Sequence, residues 1–430
     1  MTETPTIFGL PAERGRWGLI ALGLLINLCL GSIYSWSVFV APLAAHFTAA
    51  LGREVAAGEV LLPFSVFLAF FAIAMPLAGK YIERYGPRKV TVAGGLLTGL
   101  GWLLASTATS VEALYVVYGV IGGLGVGIAY GAPVAVAARW FPDRRGLAVG
   151  LTLLGFGVSA FVTANAAGAL IAAYGVMTTF AIFGVVLAAV LVVAALPLRF
   201  PPAGWQPAGW SAPAPGTGTA PACECDRRAM LRTGTFYGLF ACYFVGCLAG
   251  LTAISIAKPV GTEVAGVDAG LATLLVGFFA IFNGAGRPAF GGLADRISPQ
   301  KTAMLTFGLI AAASVLIWLA PGVPAYVVSF AVLWGCLGGW LAIAPAATAS
   351  YFGTCDYPRC YGVVFLAYGA GAIAGPQLAG FVRTATGTYL GVFPLVAVLA
   401  AVGFAVAWLL MRPPASVPAS TPVPVAAGEE

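Results

Sequence analysis

Twelve long apolar runs, joined by short polar connections, constrain this chain more than any other feature. They lie near residues 17–41, 59–79, 90–107, 111–138, 146–171, 176–198, 234–257, 269–291, 302–320, 324–349, 360–382 and 388–411. A bilayer hydrocarbon core is about 30 Å thick and takes about 20 helical residues to cross. In that medium a run of this length satisfies its own backbone N–H and C=O groups only as a helix. The charge inventory agrees: 430 residues carry 21 Lys and Arg and 15 Asp and Glu, while 60% of the chain is apolar. Soluble domains average about 25% charged residues, so a soluble fold is excluded. The net charge of +6 is small and its basic residues are dispersed, which argues against a nucleic-acid partner. Eight cysteines are too sparse for a secreted disulfide scaffold. The first run is too long for the apolar part of a cleaved signal and is expected to stay as a first spanning helix.

The stretch between the sixth and seventh runs differs. Residues 199–232 are rich in Pro, Gly and Ala and read as a flexible linker. It divides the runs six and six, and the halves resemble each other. Gly79-Lys-Tyr-Ile-Glu83-Arg84, with Arg88 close behind, follows the second run; Gly291-Gly-Leu-Ala-Asp295-Arg296 follows the eighth, 212 residues later. Pro133 and Pro345 repeat at the same offset; Arg145 and Arg359, and Gly155 and Gly369, repeat at 214. A duplicated six-helix unit accounts for such coincidences. The expected fold is an all-α polytopic membrane protein of 12 transmembrane helices in two pseudo-symmetric six-helix bundles. Its parts are an N-terminal segment 1–16, a bundle 17–198, the linker 199–232, a second bundle 233–412 and a disordered tail 413–430. Seventeen Lys and Arg fall on the side of the termini and linker, against Arg53, Lys258 and Arg383 on the other. Basic residues stay inside, so both termini are expected in the cytoplasm, with the chain spanning the cell (inner or plasma) membrane.

One basic residue belongs to neither side. Arg287 lies eight residues before Asp295, about 12 Å along the helix from that end and close to the midplane. A charge there costs about 2.5–3.5 kcal/mol on insertion scales. Within the runs, carboxylates occur only at outer ends, as Glu59 and Glu112. A bound anion would supply the missing counter-charge, and Arg holds a carboxylate through two parallel hydrogen bonds. The structural alternative is snorkelling or pairing with a backbone carbonyl. Asn283, one turn earlier on the same face, can serve Arg287, a substrate oxygen or helix packing.

Tyr34 stands among small and hydroxyl residues in the first run, suited to a wet cavity wall or to packing. Tyr118 and Tyr130 border a four-residue glycine repeat, Gly119, Gly123, Gly127 and Gly131, which suits close helix approach. Phe365 and Tyr368 share a face of the eleventh run. Arg287, Asn283, Tyr34, Tyr118, Tyr368 and Phe365 form the candidate substrate site. Gly79, Glu83, Arg84, Arg88, Gly291, Asp295 and Arg296 form a candidate cytoplasmic gate. There a carboxylate at a helix end pairs with a neighbouring Arg and latches that face shut, the Gly admitting close contact; the plain alternative is a topogenic basic loop. No phosphate-binding, dinucleotide or zinc-protease motif is present, so neither ATP drive nor enzymatic catalysis is indicated, and no cofactor is expected. Cys223, Cys225, Cys355 and Cys360 lack zinc-ribbon spacing, and no metal is expected.

The doubled Gly-x-x-x-acid-Arg motif on a six-plus-six plan resembles the signature loops of the major facilitator superfamily, over all twelve runs. Tyr34-x-Trp36-Ser37-Val-Phe39, Trp140-Phe141-Pro142-Asp143-Arg144-Arg145-Gly146, Asn283-Gly-x-Gly-Arg287-Pro and Tyr361-Gly look like the oxalate/formate antiporter family, which is similar to the monocarboxylate transporters. The resemblance implies that Arg287 anchors a carboxylate. Two departures bear on substrate and coupling. The oxalate carriers have a second cation, a Lys, where Tyr368 stands, so a monoanion is better matched here than a dianion. Animal-type monocarboxylate carriers have Asp where Asn283 stands, and Asn takes no proton.

The expected function is secondary active transport of small monocarboxylates (lactate-, pyruvate- or formate-like) by alternating access, as proton-coupled symport. An exchange carrier of the oxalate/formate type is the alternative, and a non-transporting carboxylate sensor is the reading from outside this class. The expected partners are a small carboxylate anion, a co-transported proton and the lipid bilayer, with the protein acting as a monomer. One charge moved across the membrane is worth about 2.3 kcal/mol per 100 mV, so both symport with a proton and one-for-one exchange remove the opposition of an inside-negative potential to anion entry.

Overall fold

The computed structural model describes residues 6–141, 143, 145–202, 205–207, 227–353 and 357–413, and describes only the backbone at 57, 83, 145–147, 295 and 357–359. Twelve long helices account for nearly all of it. They are α1 (Ala12–Leu51), α2 (Ala57–Tyr85), α3 (Pro87–Ala105), α4 (Val111–Trp140), α5 (Arg145–Tyr174), α6 (Val176–Ala195), α7 (Gly234–Glu263), α8 (Ala269–Ile297), α9 (Pro299–Leu319), α10 (Val323–Phe352), α11 (Tyr357–Thr386) and α12 (Val392–Leu410). Eleven are long and apolar enough to cross a membrane. The twelfth, α3, has 19 residues, diluted by four glycines and by Arg88 and Lys89 in its first turn.

The helices outrun the apolar runs because the polar flanks are good helix formers. α1 starts at Ala12, not Trp17, and takes in Arg14 and Arg16. Before it, Thr6–Ile7 and Leu10–Pro11 pair as a two-residue antiparallel ladder around Phe8 and Gly9, both at positive φ. α2 and α8 likewise continue to Tyr85 and Ile297, so the two repeated motifs sit in the last helical turns rather than in loops. Each ends at a residue of positive φ followed by Pro: Gly86 (φ 82°) before Pro87, and Ser298 (φ 112°) before Pro299. These turns are 212 residues apart, so the backbone geometry repeats where the side chain does not.

Within the first six helices, α3 packs on α4 and α6, α2 on α4, and α1 on α4 and α5. Within the second six, α8 packs on α10, α7 on α10 and α11, and α9 on α10 and α12. Two broad contacts join the sets: α2 against α11, and α5 against α8. The shift that carries α2 onto α8 and α5 onto α11 exchanges these two contacts, as a pseudo-twofold axis requires. α7 is almost wholly buried, whereas α6 and α12 turn most of their residues outward. Large apolar side chains such as Val185, Val193, Val398 and Trp408 are exposed there, which suits lipid rather than water.

Part of the connection between the halves is docked rather than loose. Trp140 Nε1 donates to the Arg199 carbonyl at 2.7 Å, its ring meets Trp205 at 4.8 Å, and Arg139 covers the Phe200 ring at 3.9 Å. Arg16 closes the same face with a bidentate pair to Asp143 (2.6 and 2.9 Å), a bond to the Trp140 carbonyl and a stack on Phe141. Linker residues 208–226 and the tail from 414 lie outside the described residues.

The glycine repeat of α4 is where α2 crosses it. A Cβ on Gly123 would lie 2.3 Å from the Phe67 carbonyl oxygen, a backbone atom that cannot step aside; on Gly131 it would meet only Ile82 Cδ1 at 3.4 Å. Gly123→Ala is therefore expected to lower the thermal unfolding midpoint of the purified protein and its membrane yield. Gly131→Ala is expected to be neutral or mildly stabilising, since Ala gains up to about 1 kcal/mol over Gly inside a helix. Equal midpoints for the two variants would contradict the packing described.

Candidate functional site

Arg287 reaches the centre of the molecule because three local features clear its path. Gly284 and Gly286 leave its flanks bare, and Pro288 removes an amide and frees the Gly284 carbonyl. The backbones of α5 and α8 then touch at Gly157 and Gly284, where a Cβ on Gly157 would lie 2.7 Å from Gly284 Cα. From this crossing the guanidinium extends over α5. Nη1 donates to the Leu153 carbonyl at 2.9 Å, and the charge lies 5.8 Å from the Phe156 ring centroid. The residue is 6% exposed, and Nε and Nη2 have no hydrogen-bond partner among the described residues. No described carboxylate pairs with it. A buried charge with two idle donors is costly, and the backbone carbonyl offsets only part of that cost.

Aromatic rings from five helices enclose the guanidinium. Tyr34 sits on a short 3-10 stretch of α1, Gly31–Ser35, and packs edge-on against Phe156 at 5.1 Å. Its hydroxyl meets that of Tyr368 on α11 at 3.2 Å, a hydrogen bond between the two halves. Phe365 stacks on Tyr368 at 5.0 Å. Phe71 of α2 touches Tyr130, Phe156, Phe365 and Tyr368 with centroids 5.2–5.9 Å apart. Tyr130 of α4 approaches closely enough to interact with Arg287, although neither it nor any other described group completes a hydrogen bond to Nε or Nη2. Tyr34, Tyr368 and Phe365 are all fully buried.

The structure therefore brings Arg287, Tyr34, Tyr368 and Phe365 together. Asn283 lies one turn away and is fully buried, but its Nδ2 donates to the Trp334 carbonyl of α10 at 3.0 Å, and its Oδ1 has no partner among the described residues. Tyr118 is elsewhere. It lies inside the first bundle, stacked on Trp36 at 4.7 Å and against Phe67 and Trp102 at 4.9 and 5.0 Å. Twelve residues at 100° put Tyr118 and Tyr130 about 120° apart on a regular helix, and wide π turns over Tyr115–Gly122 shift the register further. Of the other rings around Arg287, the sequence names Tyr130 together with Tyr118, with cavity wall and packing both open, but leaves it out of the candidate set; Phe156 and Phe71 are not singled out.

The proposed gate is only partly described. Arg84, Arg88 and Arg296 are exposed, and Arg84 lies over the Tyr85 ring at 5.3 Å. The carboxylates of Glu83 and Asp295 lie outside the described residues. Gly291 does admit a close neighbour, with Ala342 Cβ 3.2 Å from where its own Cβ would stand; Gly79 faces open space, so close contact does not explain it.

Comparison with known proteins matches this architecture. The family model of the Major Facilitator Superfamily matches residues 20–352 and 239–427. The chain belongs to that superfamily; it is a multi-pass membrane transporter and not an enzyme. It is 29% identical to the oxalate:formate antiporter of Oxalobacter formigenes over 91% of this chain and 90% of that one. It is also 29% identical to monocarboxylate transporter 13 of Bos taurus, over 88% and 86% of the two chains. The fold superposes on a peptide transporter crystallised with sulfate at a TM-score of 0.69, with 16% identity over 95% of this chain and 97% of that one.

The location of the two tyrosines in α4 is open to a direct check. Tyr130→Phe is expected to weaken substrate affinity about fivefold, the worth of one ordinary hydrogen bond. Tyr118→Phe should leave transport KM unchanged. Concentration-dependent uptake into proteoliposomes reads both, and a KM effect at Tyr118 alone would overturn the assignment.

Proposed function

We propose that the chain carries small monocarboxylates across the membrane by alternating access, with the Arg287 guanidinium as the carboxylate anchor. One observation supports this above the others: two nitrogens of a buried guanidinium, set among aromatic rings, have no hydrogen-bond partner and no carboxylate paired with them among the described residues. Nε and Nη2 are the side-on edge through which Arg grips a carboxylate with two parallel bonds. Tyr34 and Tyr368 add neutral hydroxyls rather than a second cation. One positive charge balances one negative charge, so lactate, pyruvate and formate fit, and the oxalate dianion leaves a charge uncompensated.

Substrate reaches Arg287 only when the two halves part, along α2–α11 and α5–α8 at one face or the other. The Tyr34–Tyr368 bond spans the halves and breaks in at least one of these openings. Both termini lie in the cytoplasm on the strength of the basic residues there, and the ends of α2 and α8 close that side. Asn283 acts through α10, holding the Trp334 region against α8.

The same guanidinium favours exchange over the proton-coupled symport that charge balance first suggests. The halves cannot close around an empty site without burying a charge whose compensation is incomplete. Leaving a buried charge unpaired costs about 3–5 kcal/mol, a factor of about 10² to 10³ or more in the rate of an empty return. No described carboxylate or His stands near Arg287 to take over as counter-ion or proton carrier.

Uptake of labelled lactate, pyruvate, formate and oxalate into proteoliposomes tests both parts. Arg287→Gln is expected to abolish uptake of every substrate that the wild type carries. Preloading the vesicles with unlabelled substrate is expected to accelerate uptake about a hundredfold or more over empty vesicles. Wild-type rates in the Gln variant would refute the anchor. Equal rates in loaded and empty vesicles, with stimulation by an inward proton gradient, would restore symport.

A further inference from the structure

The face opposite the termini holds a second basic group whose role the central site does not explain. A cleft of about 990 Å³ opens there between the ends of α1, α7 and α11, lined among others by Ser37, Pro42, Lys258, Glu263, Arg383 and Tyr389. Three basic side chains belong to this face, and two are committed. Arg53 pairs with Glu59 at 2.7 and 3.1 Å. Arg383 donates to Glu263 at 2.8 Å and to the Gly387 carbonyl at 2.5 Å. Lys258 is half-buried in the cleft wall and makes no ion pair among the described residues. Pro259 follows it, and Thr262 hydrogen-bonds the Lys258 and Pro259 carbonyls at 3.3 and 3.1 Å, so the local backbone is tied down.

The remaining groups of the cleft do not neutralise this ammonium. Glu263 is taken by Arg383. Burial, with the Glu263 carboxylate beside it, pushes the Tyr389 hydroxyl up to about 12, so it stays neutral. Glu54 lines the cleft too, but it is exposed to solvent, where charge is screened. At the inner end, Ser37 is buried, and its Oγ has no partner among the described residues. It lies three residues, or one helical turn, from Tyr34 on the same face of α1. The cleft thus runs from an ammonium without an ion pair to a hydroxyl without a partner among the described residues, and its lining stops at Ser37, one turn short of Tyr34.

We infer that Lys258 forms a vestibular site for a carboxylate monoanion, which collects substrate on this face and hands it past Ser37 toward Arg287. The inference rests on the monocarboxylate reading of the central site. A low-dielectric cleft carrying one unpaired charge concentrates the opposite ion and raises its arrival rate. A weak site suits the task, since an anion held tightly at Lys258 would not move on.

Labelled lactate uptake, measured at low and high ionic strength in vesicles of each orientation, tests the site. Lys258→Gln is expected to raise KM about fivefold at low ionic strength, with kcat unchanged. The rise should appear only for substrate offered at the face opposite the termini, and should shrink in high salt. Lys258→Arg should retain wild-type KM, and Glu54→Gln should lower KM or leave it alone. An unchanged KM in Lys258→Gln would overturn the inference. So would an equal loss from both faces, or a Glu54→Gln variant that reproduces the Lys258→Gln defect, since the lysine would then be a structural anchor or an ion-pair partner. If the wild type carries no carboxylate at all, the central reading fails instead, and the two failures are distinguishable.

Discussion

A guanidinium taken out of water into the middle of a membrane protein is the constraint on which the rest depends. Hydration of that group is lost, and the chain replaces it with one backbone carbonyl, that of Leu153, and the face of Phe156. Two of its nitrogens, Nε and Nη2, are left without a partner among the described residues. Water, a second protein charge or a substrate can meet such a demand, and the described residues do not supply the second. The surroundings follow from this. Glycines let α5 and α8 touch so that the side chain crosses from one half to the other, and aromatic rings fill the space with groups that do not compete for the carboxylate.

The arrangement also ties recognition to movement. Arg287 belongs to one half of the molecule and its carbonyl partner to the other, while Tyr34 and Tyr368 join the halves in the same way. On the proposed alternating-access reading, the polar contacts around Arg287 are therefore contacts between the parts that separate, so a substrate that strengthens them would stabilise the closed form and an empty site would weaken it. Rigid bundles with close glycine contacts transmit such a bias, because packed helices shift as units rather than deform.

Much of this was legible in the linear chain. The twelve runs, the offset of about 212 residues and the isolation of Arg287 each rest on a property of the residues themselves: transfer of apolar side chains into lipid, duplication, and the cost of a buried charge. Tyr34, Tyr368 and Phe365 stand out in the sequence for their small-residue and aromatic neighbours, and all three pack in the cluster of rings around Arg287. Tyr118 does not, because helix spacing gives a direction only while the helix is regular, and α4 widens at Tyr115–Gly122. The two repeated motifs read as loops because lipid-crossing runs end before them. They are helical because helix stability does not stop at the edge of an apolar stretch, and only Gly86-Pro87 and Ser298-Pro299 end it. The docking of Phe200 and Trp205 was hidden by the Pro- and Gly-rich composition around them.

The sequence by itself determined the solvent, the number of spanning helices, their pairing by duplication and the one charge that had to be answered inside the membrane. These are sums over local chemistry, and they survive without knowledge of what packs on what. Only the tertiary structure decided which rings lie around Arg287, that Asn283 turns to α10, that the halves meet through α2–α11 and α5–α8, and that Lys258 has no ion pair in its cleft among the described residues. Each of these depends on helices distant in sequence arriving at the same depth with a particular rotation. That is set by where glycines permit close approach and by where a 3-10 or π turn resets the face, and no single run of residues encodes it.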